Sequence, residues 1–157
     1  MIKAEKLKPF TVYPLEKNNK PGAVKTADGV RVERKGNRVD VYGIVVRTHF
    51  APDIVKVNQG DEVFFHWTNL EQDDDIAHGF GICWSSKNMQ IEPGETKTMT
   101  WTAAKVGINP FYCSNFCSAL HQEMQGYIEV RPKGSPLSAV QRPDANLMAQ
   151  VAEEMKR

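Results

Sequence analysis

Between Cys113 and Met124 the chain reads Cys-Ser-Asn-Phe-Cys-Ser-Ala-Leu-His-Gln-Glu-Met, which puts two thiols, an imidazole and a thioether within twelve residues. Thiolate, imidazole and thioether together select copper over harder ions, and one of each would already suggest a blue-copper site. The second thiol, Cys117, raises the prospect of two coppers sharing two sulfurs. Such a core needs two cysteines facing the same ions, one His for each metal and weak axial donors that tune the potential. Cys113, Cys117, His121 and Met124 supply everything except one His.

Other uses of these residues fit less well. Cys113 and Cys117 could form a disulfide, or join two His in a structural zinc set, but zinc has no use for the thioether of Met124. A Cys–His nucleophile leaves the second thiol and the Met unexplained. Haem attachment is excluded because no Cys-x-x-Cys-His is present. For the missing His the candidates are His49, His66 and His78. His66 sits in a Phe-Phe-His-Trp run and His49 beside Phe50-Ala-Pro, positions typical of half-buried or surface imidazoles. His78 precedes Gly79-Phe-Gly81, where glycines allow close backbone approach, and a loop there at one end of a sandwich can meet the ligand loop.

The elements that must position these residues read as short strands. Arg38 to Val45 alternates β-branched residues. Ile54–Val57, the turn Asn58-Gln-Gly-Asp61 and Glu62–Thr68 give strand, turn and strand, and Met89–Ile91, Pro93-Gly94 and Thr96–Thr102 give a hairpin. Asn109–Tyr112 and Gly126–Val130 bracket the ligand cluster, so it falls in the loop between the last two strands. The spacing predicts an antiparallel sandwich or barrel. Three segments follow: an extended N-terminal arm over 1–30, a β domain over 31–132, and a tail over 133–157. In the tail, Asp144 is an N-cap candidate, and Leu147, Val151 and Met155 form the apolar stripe of a short helix packed on the sandwich or a neighbour.

Composition narrows the function classes. With 20 basic and 19 acidic residues the net charge is +1, and no overall field argues for nucleic acid or an anionic membrane. No apolar stretch is long enough for a membrane-spanning helix, and the first thirty residues lack a signal-peptide core. Three cysteines suit a metal pair plus one bystander, Cys83, read as structural. The acidic loop Glu71-Gln-Asp73-Asp74-Asp75 reads as a solvated loop or, more sharply, as a docking patch for a basic redox protein.

His78-Gly-Phe, Phe111-Tyr-Cys113, Phe116-Cys117-Ser-Ala-Leu-His121, Glu123-Met124 and Gly126-Tyr127 together resemble the binuclear CuA cupredoxin domain, above all the C-terminal domain of nitrous-oxide reductase. The match runs from about Asp40 to Val130, with a His 35 residues upstream of Cys113. The resemblance implies an all-β, cupredoxin-like Greek-key sandwich holding two copper ions. Cys113 and Cys117 would bridge both; His78 and axial Met124 would complete one, and His121 with the backbone carbonyl of Asn115 the other. It further implies one-electron transfer in the periplasm. The donor would be a cytochrome c or small copper protein and the acceptor a catalytic copper-cluster domain, within a parent enzyme that is a homodimer.

The related subunit II of haem-copper oxidases carries Glu between the cysteines and Gly after the second, where this chain has Asn115 and Ser118. Nitrous-oxide reductase typically has Trp where Asn115 stands, so a carbonyl ligand survives the change, while the resemblance does not carry docking or electron entry over to that position. The catalytic cluster of that enzyme sits in a His-rich propeller. Four His and 157 residues cannot supply one, so the chain reads as an electron-receiving module or a free-standing carrier. A mononuclear copper or zinc module is the alternative.

Overall fold

The structure is a computed structural model that describes residues 23–24, 29–47, 49–71, 77–115 and 124–155. Two β-sheets face each other around one core. The strands are β1 (Arg31–Lys35), β2 (Arg38–Val46), β3 (His49–Ala51), β4 (Ile54–Asn58), β5 (Glu62–Asn69), β6 (His78–Ile82), β7 (Asn88–Ile91), β8 (Thr96–Thr102), β9 (Gly107–Tyr112), β10 (Gln125–Arg131) and β11 (Val140–Gln141), and one helix follows, α1 (Ala145–Met155). The first sheet runs β11-β1-β2-β5-β8 with β3 folded onto β2, and the second runs β4-β10-β9-β6-β7.

The all-β class is as expected, but the pairing is not purely antiparallel: β2 lies parallel to β5, and β4 parallel to β10. The reason lies in the turns. Neither of the two segments read as strand–turn–strand closes a hairpin. β4 belongs to the second sheet and β5 to the first, and β7 and β8 are divided in the same way, so both turns are arches between layers. The Asn58–Asp61 arch is fixed by the Asp61 carboxylate, which accepts the Asn58 backbone N–H at 2.8 Å and is clasped by both Arg34 guanidinium nitrogens. Among the described residues, consecutive strands pair antiparallel in β1–β2, β2–β3 and β6–β7, with β9–β10 paired across the ligand loop.

Period-2 alternation sends Val39, Val41, Val63, Phe65 and Trp67 from the first sheet, and Val55, Phe80, Phe111, Ile128 and Val130 from the second, into a shared core. Phe50, Trp67, Phe80 and Phe111 form an aromatic cluster there with ring centroids 5.2 to 6.0 Å apart. This block lies under the strand ends that carry the expected ligands, and it keeps water from reaching them through the core.

The tail is tied to the sandwich twice. β11 pairs with β1, and the Gln141 side chain accepts the Lys56 N–H at 3.4 Å and donates to the Lys56 carbonyl at 2.9 Å, which blunts the exposed edge of β4. Asp144 caps α1 by accepting the Asn146 and Leu147 N–H groups at 2.7 and 3.3 Å. Leu147 and Val151 then pack with Ile44, Val46, Ala51 and Leu70 in a second cluster outside the first sheet, joined by Val24 and Val30.

Candidate metal centre

Cys113 directly follows β9 and Met124 directly precedes β10, and the Cys113 N–H donates to the Met124 carbonyl at 3.0 Å, which closes the base of the ligand loop. His78 opens β6, two strands over from β10. It was expected in a loop; as the first residue of a strand inside the sheet it is held by backbone pairing to Ile91. His78, Cys113 and Met124 are 0, 2 and 1% exposed. A soft donor set buried to this degree fits a metal that must be kept dry.

The residue after His78 links these strands. The Gly79 N–H points at Cys113 Sγ, 3.4 Å away, and the Cys113 thiol donates to the Asn115 carbonyl at 3.2 Å. The expected bridging sulfur and the expected carbonyl ligand are therefore already side by side. A Cβ at position 79 would stand 2.1 Å from Ser114 Oγ and 2.8 Å from Asn115 N, so only glycine lets the loop lie over β6. A backbone N–H on a cysteine sulfur also stabilises thiolate charge, one of the levers that set copper potentials.

Glu71 departs from the expectation of a solvated acidic loop: it is 3% exposed, and its Oε1 lies 3.0 Å from His78 Nε2. The same oxygen accepts the backbone N–H of Arg47, whose φ of 50° turns that group inward, and the Glu71 N–H donates to Asn69 Oδ1 at 2.9 Å. With Nε2–H donated to a carboxylate, the tautomer is set and Nδ1 is the nitrogen that carries a lone pair for a metal. The signal in the sequence was an acid seven residues before a candidate ligand, which is too generic to separate from its neighbours.

Of the expected ligands, the structure places Cys113 beside the Asn115 carbonyl, the Met124 backbone and Gly79, the residue after His78. Cys117, His121 and the docking residues Asp73, Asp74 and Asp75 lie outside the described residues. His66 is on the outer face of the first sheet, bonded to Asp40 and Thr98 at 2.8 Å each, and His49 is half-buried on β3, so neither competes with His78. Cys83 is a half-buried free thiol in the turn after β6. The described half of the site fits copper by its donor chemistry, its burial and the carboxylate behind the imidazole. Among the described residues no helix is long and apolar enough to cross a membrane.

Fold and site together define a cupredoxin-type copper domain. The chain belongs to the CuA family of such domains. No protein-family profile matches it. It is 39% identical over 124 residues to nitrous-oxide reductase of Stutzerimonas stutzeri, a match covering 79% of this chain and 19% of that protein. It is 30% identical over 100 residues to cytochrome c oxidase subunit 2 of Thermus thermophilus, covering 64% of this chain and 71% of the subunit. Among solved structures, a chain of a heme-copper terminal oxidase dimer superposes with a TM-score of 0.56 at 25% identity, over 64% of this chain and 69% of that one. The chain thus spans about a fifth of the length of the nitrous-oxide reductase it matches.

Proposed function

We propose that this domain transfers single electrons through two copper ions. In this reading Cys113, Cys117, His78, Met124, His121 and the Asn115 carbonyl would hold the two ions, the two thiolates being shared between them. The observation that carries it is the burial of His78, Cys113 and Met124 on adjoining segments, with Cys113 Sγ 3.4 Å from the Gly79 N and 3.2 Å from the Asn115 carbonyl. When bound, the metal pair would supply a one-electron couple whose charge is spread over two ions and two sulfurs. The chain's own residues do the rest. Glu71 orients the imidazole, the Gly79 N–H stabilises the sulfur, and the aromatic core excludes water and limits movement of the strand ends.

The donor would be a cytochrome c or small copper protein in the periplasm, received at Asp73, Asp74 and Asp75, and the acceptor a catalytic copper-cluster domain outside this chain, in a homodimeric parent enzyme. The Thermus relationship favours a second reading, an oxidase-subunit-like or free-standing carrier with the same site. Metal analysis and electron paramagnetic resonance test the shared claim. Two coppers per chain with a seven-line hyperfine pattern are expected, both lost in Cys117→Ser; one copper, or zinc, would overturn it.

A further inference from the structure

The outer face of the second sheet carries apolar residues that the described residues leave about half exposed. On β4, β9 and β10 the inward residues fill the core, and the alternate positions Ile54, Ile108, Tyr112 and Tyr127 are exposed by 53, 54, 42 and 42%. They are neighbours by register: Tyr127 pairs with Ile54 on one side and Pro110 on the other, Gln125 with Tyr112, and Glu129 with Ile108 and Lys56. Gly81 has no side chain to compete, and a Cβ there would stand 3.0 to 3.2 Å from the Tyr112 ring, so that ring lies along the sheet. Adjoining exposed apolar residues on one face, rather than single scattered ones, mark an interaction surface.

Two further features say what fits it. Tyr112 is bonded to Cys113 in the chain, and Tyr127 follows Met124 by three residues, so the face begins where the ligand-bearing strands surface. At its far end the charges are basic. Glu129 is paired with Arg131 at 3.4 Å, while Lys56 on the face and Lys105 and Lys133 in the loops beyond it are exposed. A second copy of the chain laid with its strands in the same sense would set lysine against lysine, whereas a carboxylate-rimmed partner complements this end in any alignment that covers it.

We propose that this face docks a redox protein whose contact surface is apolar around its own cofactor and rimmed by carboxylates, a partner opposite in charge to the one the Asp73–Asp75 loop suits. The proposal rests on the electron-transfer reading and deepens it, giving the domain two chemically distinct docking surfaces.

The test uses the copper-loaded, reduced, nitrogen-15-labelled chain with an acidic mononuclear blue-copper protein as probe and a basic cytochrome c as control. Amide shifts caused by the acidic probe are expected on β4, β9 and β10. The double variant Lys56→Glu/Lys105→Glu should slow stopped-flow electron exchange with that probe by about tenfold and leave the cytochrome rate unchanged, as rim charges act on association. Tyr127→Ser should weaken probe binding with the copper spectrum and melting temperature unchanged. Shifts confined to other faces, an unaltered rate in the double variant, or a dimer in sedimentation equilibrium that Tyr127→Ser dissolves would each overturn the proposal. Shift mapping needs no electron transfer. Mapping to this face without exchange with either protein would therefore sink the functional reading and leave the docking surface standing.

Discussion

The two sheets present opposite kinds of outer surface. On the first, Arg31, Tyr42, His66 and Thr98 stand side by side in register across four strands. The Arg31 guanidinium lies 4.2 Å above the Tyr42 ring, that ring stacks on His66 at 5.0 Å, and His66 bridges Asp40 and Thr98. Arg38 grips Asp40 with two bonds of 3.0 and 3.2 Å. Where this sheet turns apolar outward, at Ile44 and Val46, α1 covers it. On the second sheet nothing among the described residues covers Ile54, Ile108, Tyr112 and Tyr127. One surface is completed by the chain's own groups. The other, which starts at the ligands, is left for something else, so outward apolar residues have opposite meanings on the two sides: stability on the first sheet, association on the second.

Truncation separates these meanings. Leu147→Ala removes the cover of the first sheet and should cost about 2–3 kcal/mol, read as a lower urea midpoint with an unchanged slope. A loss under half that would mean the helix is not part of the fold's cooperative unit.

Glu71→Ala strands the His78 N–H and the Arg47 N–H together and should cost about 1–3 kcal/mol. It should also shift the reduction potential and copper hyperfine pattern, whereas Glu71→Gln, which still accepts a hydrogen bond, should recover most of the stability. Equal losses in both variants with an unmoved potential would make Glu71 a packing residue only.

Tyr112→Thr and Tyr127→Thr should each cost clearly less than Leu147→Ala, because both rings are 42% exposed and threonine keeps the strand preference of the position. A loss comparable to that of Leu147→Ala would erase the contrast between the sheets.

The smallest effect concerns acid. Burial pushes the Asp40 carboxyl upward, but hydrogen bonds from Arg38 and His66 outweigh it and hold its pKa below the usual 3.8. A depressed native pKa contributes stability that is fully present above 3.8 and is lost as pH falls through the native value. The advantage of the parent over Asp40→Asn in urea unfolding should therefore be present near neutrality and vanish in acid. An advantage independent of pH would mean that the ion pair contributes nothing.

The uneven legibility of the sequence has physical causes. The runs over β2, β5, β8 and β10 announce themselves through alternation, and α1 through its N-cap and its Leu147 and Val151 stripe. β1 offers one inward apolar residue, Val32, with Arg34 beside it committed to Asp61, so its period is faint. β6 reads His-Gly-Phe-Gly-Ile, and two glycines in five residues look like a loop. Those glycines are there because the ligand loop and the Tyr112 ring lie on that strand. Among the proposed ligands, Cys113 and Met124 are readable from local spacing. His78 is favoured over two other imidazoles on context and selected by family resemblance, since its placement beside the Cys113 strand depends on pairing between distant segments.

By itself the sequence determined what depends on neighbours along the chain: soft donor atoms at copper-binding spacing, the strand period, and turn positions at Asn58–Asp61 and Pro93-Gly94. Only the tertiary structure decided which turns are arches rather than hairpins, that Glu71 is buried behind His78, and that one outer face is covered while the other is bare. Alternation says that a residue faces one side of a strand. Which layer that strand joins, and what lies over its other side, is set by pairing between segments distant in the chain, and local pattern carries no record of it.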